Sequence, residues 1–373
     1  MAQQKILLAH LNSNGDCLYA TVIARQIKEI DHPGCHLTWA VNSRCKQTIL
    51  LNPFVDEIWE IPTEKTLTSK KEWNAFVRSA EAKKQAGEFD KIFYTQIIGR
   101  NIMNLNGDIR NSIYKNYPHP ITVSQQPIIA LSPAETAEVK SFALKNNLAA
   151  FKHVILFECG PDSFKSILNP GSSLAIAEKF IALHKDVLFI LSSNKKIESS
   201  SHQIIDGSTI SFRENAELTK FCSFFIGCSS GISWLSTTNW AKPLQKILVI
   251  NDKTILNSSM VEDHNMAGLP TGNIIEMMDS NFNQEQLINC LQMSIAGQFE
   301  EAKKIYHQRY KKTNFKFLYM VAKSSFEEWN FSLPLKRYKE AVHKYGFSFN
   351  ALYNIIKAYV KLPFYIIKNA FSR

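Results

Sequence analysis

Two successive series of short apolar, β-rich runs, each run followed by a segment of helical spacing, constrain this chain more than any other feature. The first opens with Lys5–Leu11 and a polar turn, Asn12-Ser13-Asn14-Gly15-Asp16. Leu18, Val22, Ile23, Ile27 and Ile30 then recur at helical spacing, and further β-rich runs follow at His36–Val41, towards Trp59 and at Asp90–Thr95. Strand and helix alternating at this pace predict a parallel sheet with crossover helices. Residues 119–133 carry Pro120, Pro127 and Pro133 without helical period, and mark the passage between domains. The alternation then restarts, with helical spacing over Ala134–Leu148, runs at His153–Phe157, Asp186–Leu191, Phe221–Ile226 and Lys246–Ile250, and a helix expected from Ile232. The expected fold class is α/β, with two doubly wound Rossmann-like domains, 1–133 and 134–300, facing a central cleft. Residues 285–330 read as long helices. Further helical stretches follow at Ser332–Tyr345 and Asn350–Phe371.

Charge separates the last part of the chain from the rest. Residues 1–300 hold 28 Lys/Arg against 29 Asp/Glu, whereas residues 301–373 hold 15 against 4 and carry the whole excess of the +10 chain. The same 73 residues contain 17 of the 42 aromatics. No nucleic-acid reading motif accompanies this charge. A helical tail that is basic, aromatic and apolar is expected to lie on an anionic membrane surface. Within it Leu352, Ile355, Ile356, Tyr359, Val360, Ile366 and Ile367 recur at helical spacing, and Lys357, Lys361 and Lys368 share a polar face. The competing expectation is that the apolar stripe packs on the protein's own second domain. Seven scattered cysteines, without a C-x-x-C pair, suit a reducing compartment. No apolar run reaches the length of a membrane span. The expected location is therefore cytoplasmic, peripheral to the inner face of the cell membrane.

In doubly wound sheets ligands bind beyond the carboxyl ends of the strands. Three loops occupy that position. In Asn12–Asp16, Asp16 is placed either to cap the following helix or to act as a general base in the interdomain cleft, with Asn12, Asn14 and Gly15 beside it in the turn. The segment 158–166 offers Ser163, Lys165 and Ser166, hydroxyls and a cation suited to a diphosphate, or is a solvated loop. In Gly227-Cys228-Ser229-Ser230-Gly231, small residues let a ligand approach bare backbone at the start of a helix, whose dipole favours an anion. This last loop also matches G-x-S-x-G, so a serine hydrolase with Ser229 as nucleophile and Asp252 or Asp263 with His264 behind it is an alternative.

These residues resemble the heptosyltransferase family of bacterial surface-polysaccharide synthesis. Ile6–Leu8, Gly15-Asp16, Leu18–Ile30 and Asn52-Pro53-Phe54-Val55-Asp56-Glu57-Ile58 stand in the family's order, as do Ser163–Ser166, Ile226–Leu235 and Lys242-Pro243. The resemblance covers about residues 5–295. It implies the GT-B architecture, a nucleotide-sugar donor on the second domain, a glycan or lipid-linked acceptor on the first, and inversion at the anomeric carbon. It also implies Asp16 as base, with Lys165, Ser229, Ser230 and Gly231 at the donor phosphates. The chain departs from the family at Ser229, where an Asp is usual, and at Trp234, where a His is usual. No Asp-x-Asp occurs, and no metal or other cofactor is expected. A nucleotide-sugar epimerase of the same architecture and a non-catalytic sugar-binding protein remain alternatives.

Overall fold

The computed structural model describes residues 3–62, 69–160, 167–251, 259–308 and 315–370. The first domain contributes strands β1 (Lys5–Ala9), β2 (His36–Asn42), β3 (Glu57–Ile61) and β4 (Lys91–Tyr94), with helices α1 (Asn14–Gln26), α2 (Lys70–Gln85) and α3 (Ile109–Lys115). The second begins with α4 (Pro133–Lys145), β5 (His153–Glu158), α5 (Pro170–Leu183), β6 (Val187–Ser192) and β7 (Ile204–Asp206). It continues through α6 (Glu214–Leu218), β8 (Phe224–Gly227), α7 (Gly231–Leu235), β9 (Gln245–Ile250), α8 (Met260–Ala267) and β10 (Ile274–Met278) to α9 (Gln284–Ile295) and α10 (Phe299–Tyr306). All pairings are parallel. The orders are β3-β2-β1-β4 and β10-β9-β8-β5-β6-β7. The second is the 3-2-1-4-5-6 order of dinucleotide-binding folds, and the first is its four-stranded start. Each sheet reverses direction beside its first strand, between β1 and β4 and between β5 and β8.

Side-chain alternation along the strands builds the layers. Ile6 and Leu8 of β1 and Val154 and Leu156 of β5 join one core that runs through both domains, with Trp39, Phe225 and Trp234. Leu7 and Ala9 face Trp73 and Phe76 of α2. Ile155 and Phe157 face Phe180 of α5 and Leu291 of α9.

Three expectations change. Strands β7 and β10 were not foreseen. The long helices expected over 285–330 are shorter than that, the first ending where Gly297, at a φ of +82°, follows α9 in the left-handed region. The helix expected from Ile232 has only five residues, so its dipole is small.

The basic C-terminal segment is not an appended tail. Helix α10 still belongs to the second sheet, through Phe299 and Ala302. The chain then returns to the first domain as α11 (Lys316–Glu327), α12 (Leu333–Tyr345), α13 (Phe349–Val360) and α14 (Leu362–Ala370). Phe315, Phe317, Leu318, Val321, Ala341 and Ile355 close over Leu105. Ser324 Oγ donates to Gly99 O at 3.0 Å, and Lys70 pairs with Glu327 at 2.6 Å. The inner side of the stripe therefore packs on the first domain, not on the second, because Ile97, Leu105 and Ile109 there offer the apolar surface it needs.

Candidate active site

The two direction reversals face each other across the cleft, and a polar side chain ties each one together. In the first domain Gln96, just past β4, accepts from Leu11 N and Asn12 N at 2.9 and 3.0 Å and donates to Asn12 O at 2.6 Å. This clamps the turn that leads into α1. In the second, Glu158 ends β5 and takes hydrogen bonds from Ser230 Oγ and, at 3.0 Å, Ser233 Oγ. A Cβ on Gly227 would meet the Phe225 ring at 2.6 Å and Glu158 Oε2 at 3.0 Å, so the turn sits against the carboxylate only because residue 227 has no side chain.

Asn12, Asn14 and Gly15 line the cleft from one side and Ser230 and Gly231 from the other, around a cavity of about 530 Å³. Gly15 lies against the Trp234 ring, and a Cβ on Gly231 would come within 3.6 Å of Asn14. Arg44, Ser192, Asn194, Ile210 and Phe212 complete the cavity wall. A smaller recess beside it is lined by Asp16, Tyr19, Asp108, Ser229, Trp234 and Asp263. Ser163, Lys165 and Ser166 lie outside the described residues, as does Asp252. Another cavity of about 500 Å³, bounded by Lys140, Leu144, Phe151, Lys152 and Lys220, lies at the amino ends of β5 and β8, the wrong end of the sheet for a ligand of this fold.

The three carboxylates of the recess have different duties. Asp108 is buried and caps α3, accepting from Asn111 N at 2.6 Å. Asp263 is buried against Arg110, with contacts of 3.1 Å to Nε and 2.8 Å to Nη2. Burial raises the Asp263 pKa and Arg110 opposes this. The guanidinium also lies over Tyr19 at 4.5 Å and donates to Gln125 O. Asp16 remains half-exposed. It stands at the third position of α1, not at the cap itself, and accepts from Ser13 N at 3.4 Å.

The hydrolase arrangement with Asp263 does not assemble, and Asp252, the other acid considered, lies outside the described residues. Asp263 faces Arg110, and His264 Nδ1 engages Pro270 O at 3.0 Å, while the ring lies against Trp234. Burial holds His264 down at about 4. Neighbours on a helix point about 100° apart, so the pair 263–264 cannot serve one serine. Among the described residues no group of three or more His, Cys, Asp or Glu is placed to hold a metal ion.

No protein-family model matches this chain, and no curated protein matches it. Solved structures do. The glycosyl transferase family 9 protein from Veillonella parvula DSM 2008 superposes with a TM-score of 0.54 at 12% identity, over 78% of this chain and 89% of that one. ADP-heptose LPS heptosyltransferase II from E. coli gives 0.52 at 11% identity, over 80% of this chain and 100% of that one. The fold is the GT-B glycosyltransferase fold.

Gln96 and Glu158 were within reach of the sequence, since each directly follows or ends a foreseeable strand at a reversal point. Arg44 and Arg110 carry no local signal, and Asp263, legible only as a possible triad acid, is instead the partner of Arg110.

Burial pushes the Glu158 carboxyl up to about 6, against the bonds from Ser230 and Ser233. A folded-state value above the ordinary 4.5 means that protonation favours the fold. That contribution is full below about 4.5 and is lost as pH rises through about 6. Glu158→Gln removes the titration. The variant should gain about 2 kcal/mol on the wild type between pH 4 and pH 7.5, read from urea unfolding at each pH. A constant difference across that range would show that Glu158 does not titrate there.

Proposed function

We propose that this chain is a heptosyltransferase-like glycosyltransferase. It moves a sugar from a nucleotide-sugar donor onto a hydroxyl of a glycan or lipid-linked acceptor, with inversion. The observation that carries this reading is the placement of Asp16 on one wall of the cleft, opposite the turn Ser229-Ser230-Gly231 on the other. Asp16 takes the proton from the acceptor hydroxyl as its oxygen attacks the anomeric carbon, and the bond from that carbon to the diphosphate oxygen breaks. The departing diphosphate gains charge. Arg44, the one Lys or Arg among the described residues of the larger cavity, meets it, and the resemblance implies Lys165 as a second cation. The backbone N–H groups of Ser229 and Gly231 add to this, that of Ser230 being committed to Cys228 O, and the scheme uses no metal. Ile210 and Phe212 give the nucleobase an apolar wall. Ser230 is a positioning residue, because its hydroxyl is committed to Glu158.

Trp234 fills the floor of the recess against Tyr19 and Arg110 where the family has His, so the donor need not be ADP-heptose. A thermal-shift series with ADP-, GDP-, UDP- and CMP-sugars identifies it. A true donor at 100 times its dissociation constant stabilises the fold by about 2.7 kcal/mol. With that donor, the leaving nucleotide (nucleoside diphosphate, or CMP from a CMP-sugar) should appear only when acceptor is present, at a rate that a chelator leaves unchanged. Release without acceptor, or interconversion of the donor sugar, would replace this reading with hydrolysis or epimerisation.

A further inference from the structure

Helix α13 is apolar on both sides, yet only one side is covered. Ala351, Asn354, Ile355 and Ala358 are buried towards α11. On the opposite side Phe349, Tyr353, Ile356, Val360, Phe364 and Ile367 follow one another three or four residues apart, through α13 into α14, and are 52–80% exposed. The backbone between the two helices stays helical, since Lys361 N bonds to Lys357 O and Ala358 O, so the six side chains form one stripe. A helix that is apolar all round is ordinarily buried on all sides. Here the outer half faces solvent, and Phe347 extends it at one end.

Charge states what should cover this face. From Ala341 to Arg373 the sequence has five Lys/Arg and no Asp or Glu. Lys357 lies 5.5 Å from the Tyr319 ring and Lys361 5.9 Å, which puts both along the flank where the buried and exposed sides meet. Exposed Lys316 and Lys323 of α11 stand one turn to either side of Tyr319, on the same helix face, and continue the band. Glu327, whose charge reaches Tyr365, is engaged by Lys70 at 2.6 Å. The side chain of Lys368 is outside the described residues. No helix among the described residues is long and apolar enough to cross a membrane. Aromatic and aliphatic side chains flanked by lysines are what an anionic bilayer surface binds, the rings entering the headgroup boundary and the ammonium groups meeting lipid phosphate.

We propose that the outer face of α13–α14, Phe349 to Ile367 with Lys357 and Lys361, docks this protein on an anionic phospholipid surface. The docking does not depend on the catalytic reading above.

Full-length protein should float with vesicles of phosphatidylcholine containing phosphatidylglycerol at low salt, bind vesicles of phosphatidylcholine alone far less, and release partly at high salt. The triple variant Ile356→Glu, Val360→Glu, Phe364→Glu changes only exposed positions. It should keep the wild-type melting curve and donor response while losing about ten-fold or more in vesicle binding. Phe349→Ser with Phe364→Ser is the milder form should the triple variant melt early. Lys357→Gln with Lys361→Gln should weaken binding and flatten its salt dependence. Wild-type protein that ignores anionic vesicles, or folded stripe variants that bind as well as wild type, would overturn the proposal. So would a wild-type dimer in sedimentation that dissociates in the stripe variants and never binds lipid, since a second copy would then be the true cover.

Discussion

Replacing Asp16 by Asn should cut turnover by roughly 10²–10⁴-fold while donor affinity stays nearly unchanged. The size follows from removing the proton acceptor and leaving the shape. Asn retains the oxygen that accepts from Ser13 N, a bond already long at 3.4 Å, so the capping part of the loss is about 1 kcal/mol or less. The neighbouring carboxylates are poor substitutes. Asp108 is occupied by the amide of Asn111, and Asp263 by Arg110. Turnover and donor titration of the Asn variant, each normalised to folded protein, separate base from cap. Wild-type turnover in a folded variant would end the assignment.

The alternation of apolar runs made the two sheets and their order of assembly legible, because buried parallel strands are apolar throughout and the turns beyond them are polar and Gly-rich. The same rule located Asp16 and the Ser229–Gly231 turn, since both lie where a strand delivers the chain into the cleft. Strand β7 escaped notice because three residues, Ile204–Asp206, carry no period. Strand β10 escaped because Ile274–Met278, buried throughout, reads equally as helix. The destination of the C-terminal helices was hidden for a different reason. Helical spacing shows that Ile355 and Tyr359 share a face, but not which surface receives it. The two glycosyltransferase structures compared above share only 11–12% of their residues with the chain, so the cleft residues rest on the geometry of this molecule.

Arg213 is the plainest case of a residue that sequence reading passes over, and it should give the largest loss of stability. Nothing near it in the chain announces partners 78 to 166 positions away. Its guanidinium is buried and uses all five N–H groups, a full complement for this side chain. Nε donates to Glu135 Oε1 at 2.6 Å, Nη1 to Gln47 O at 2.7 Å and Leu50 O at 2.9 Å, and Nη2 to Ala130 O and to Glu135 Oε2. Gln47 and Leu50 belong to the first domain, Ala130 to the passage, and Glu135 to the first helix of the second. One side chain thus fastens all three. Arg213→Ala strands three carbonyls and a carboxylate, and breaking a buried pair of this kind costs about 3–5 kcal/mol. Glu135 is partly exposed and regains water, which places the expected loss near the lower figure. Arg213→Lys keeps the charge for Glu135 but cannot span the carbonyls with a planar fork, so it should recover less than half of the loss. Urea unfolding of both variants decides between two accounts of how the domains are joined. If the Ala variant loses less than about 1 kcal/mol, the apolar contact of Trp234 with Tyr19 and the shared core hold the cleft together, and Arg213 only decorates the junction.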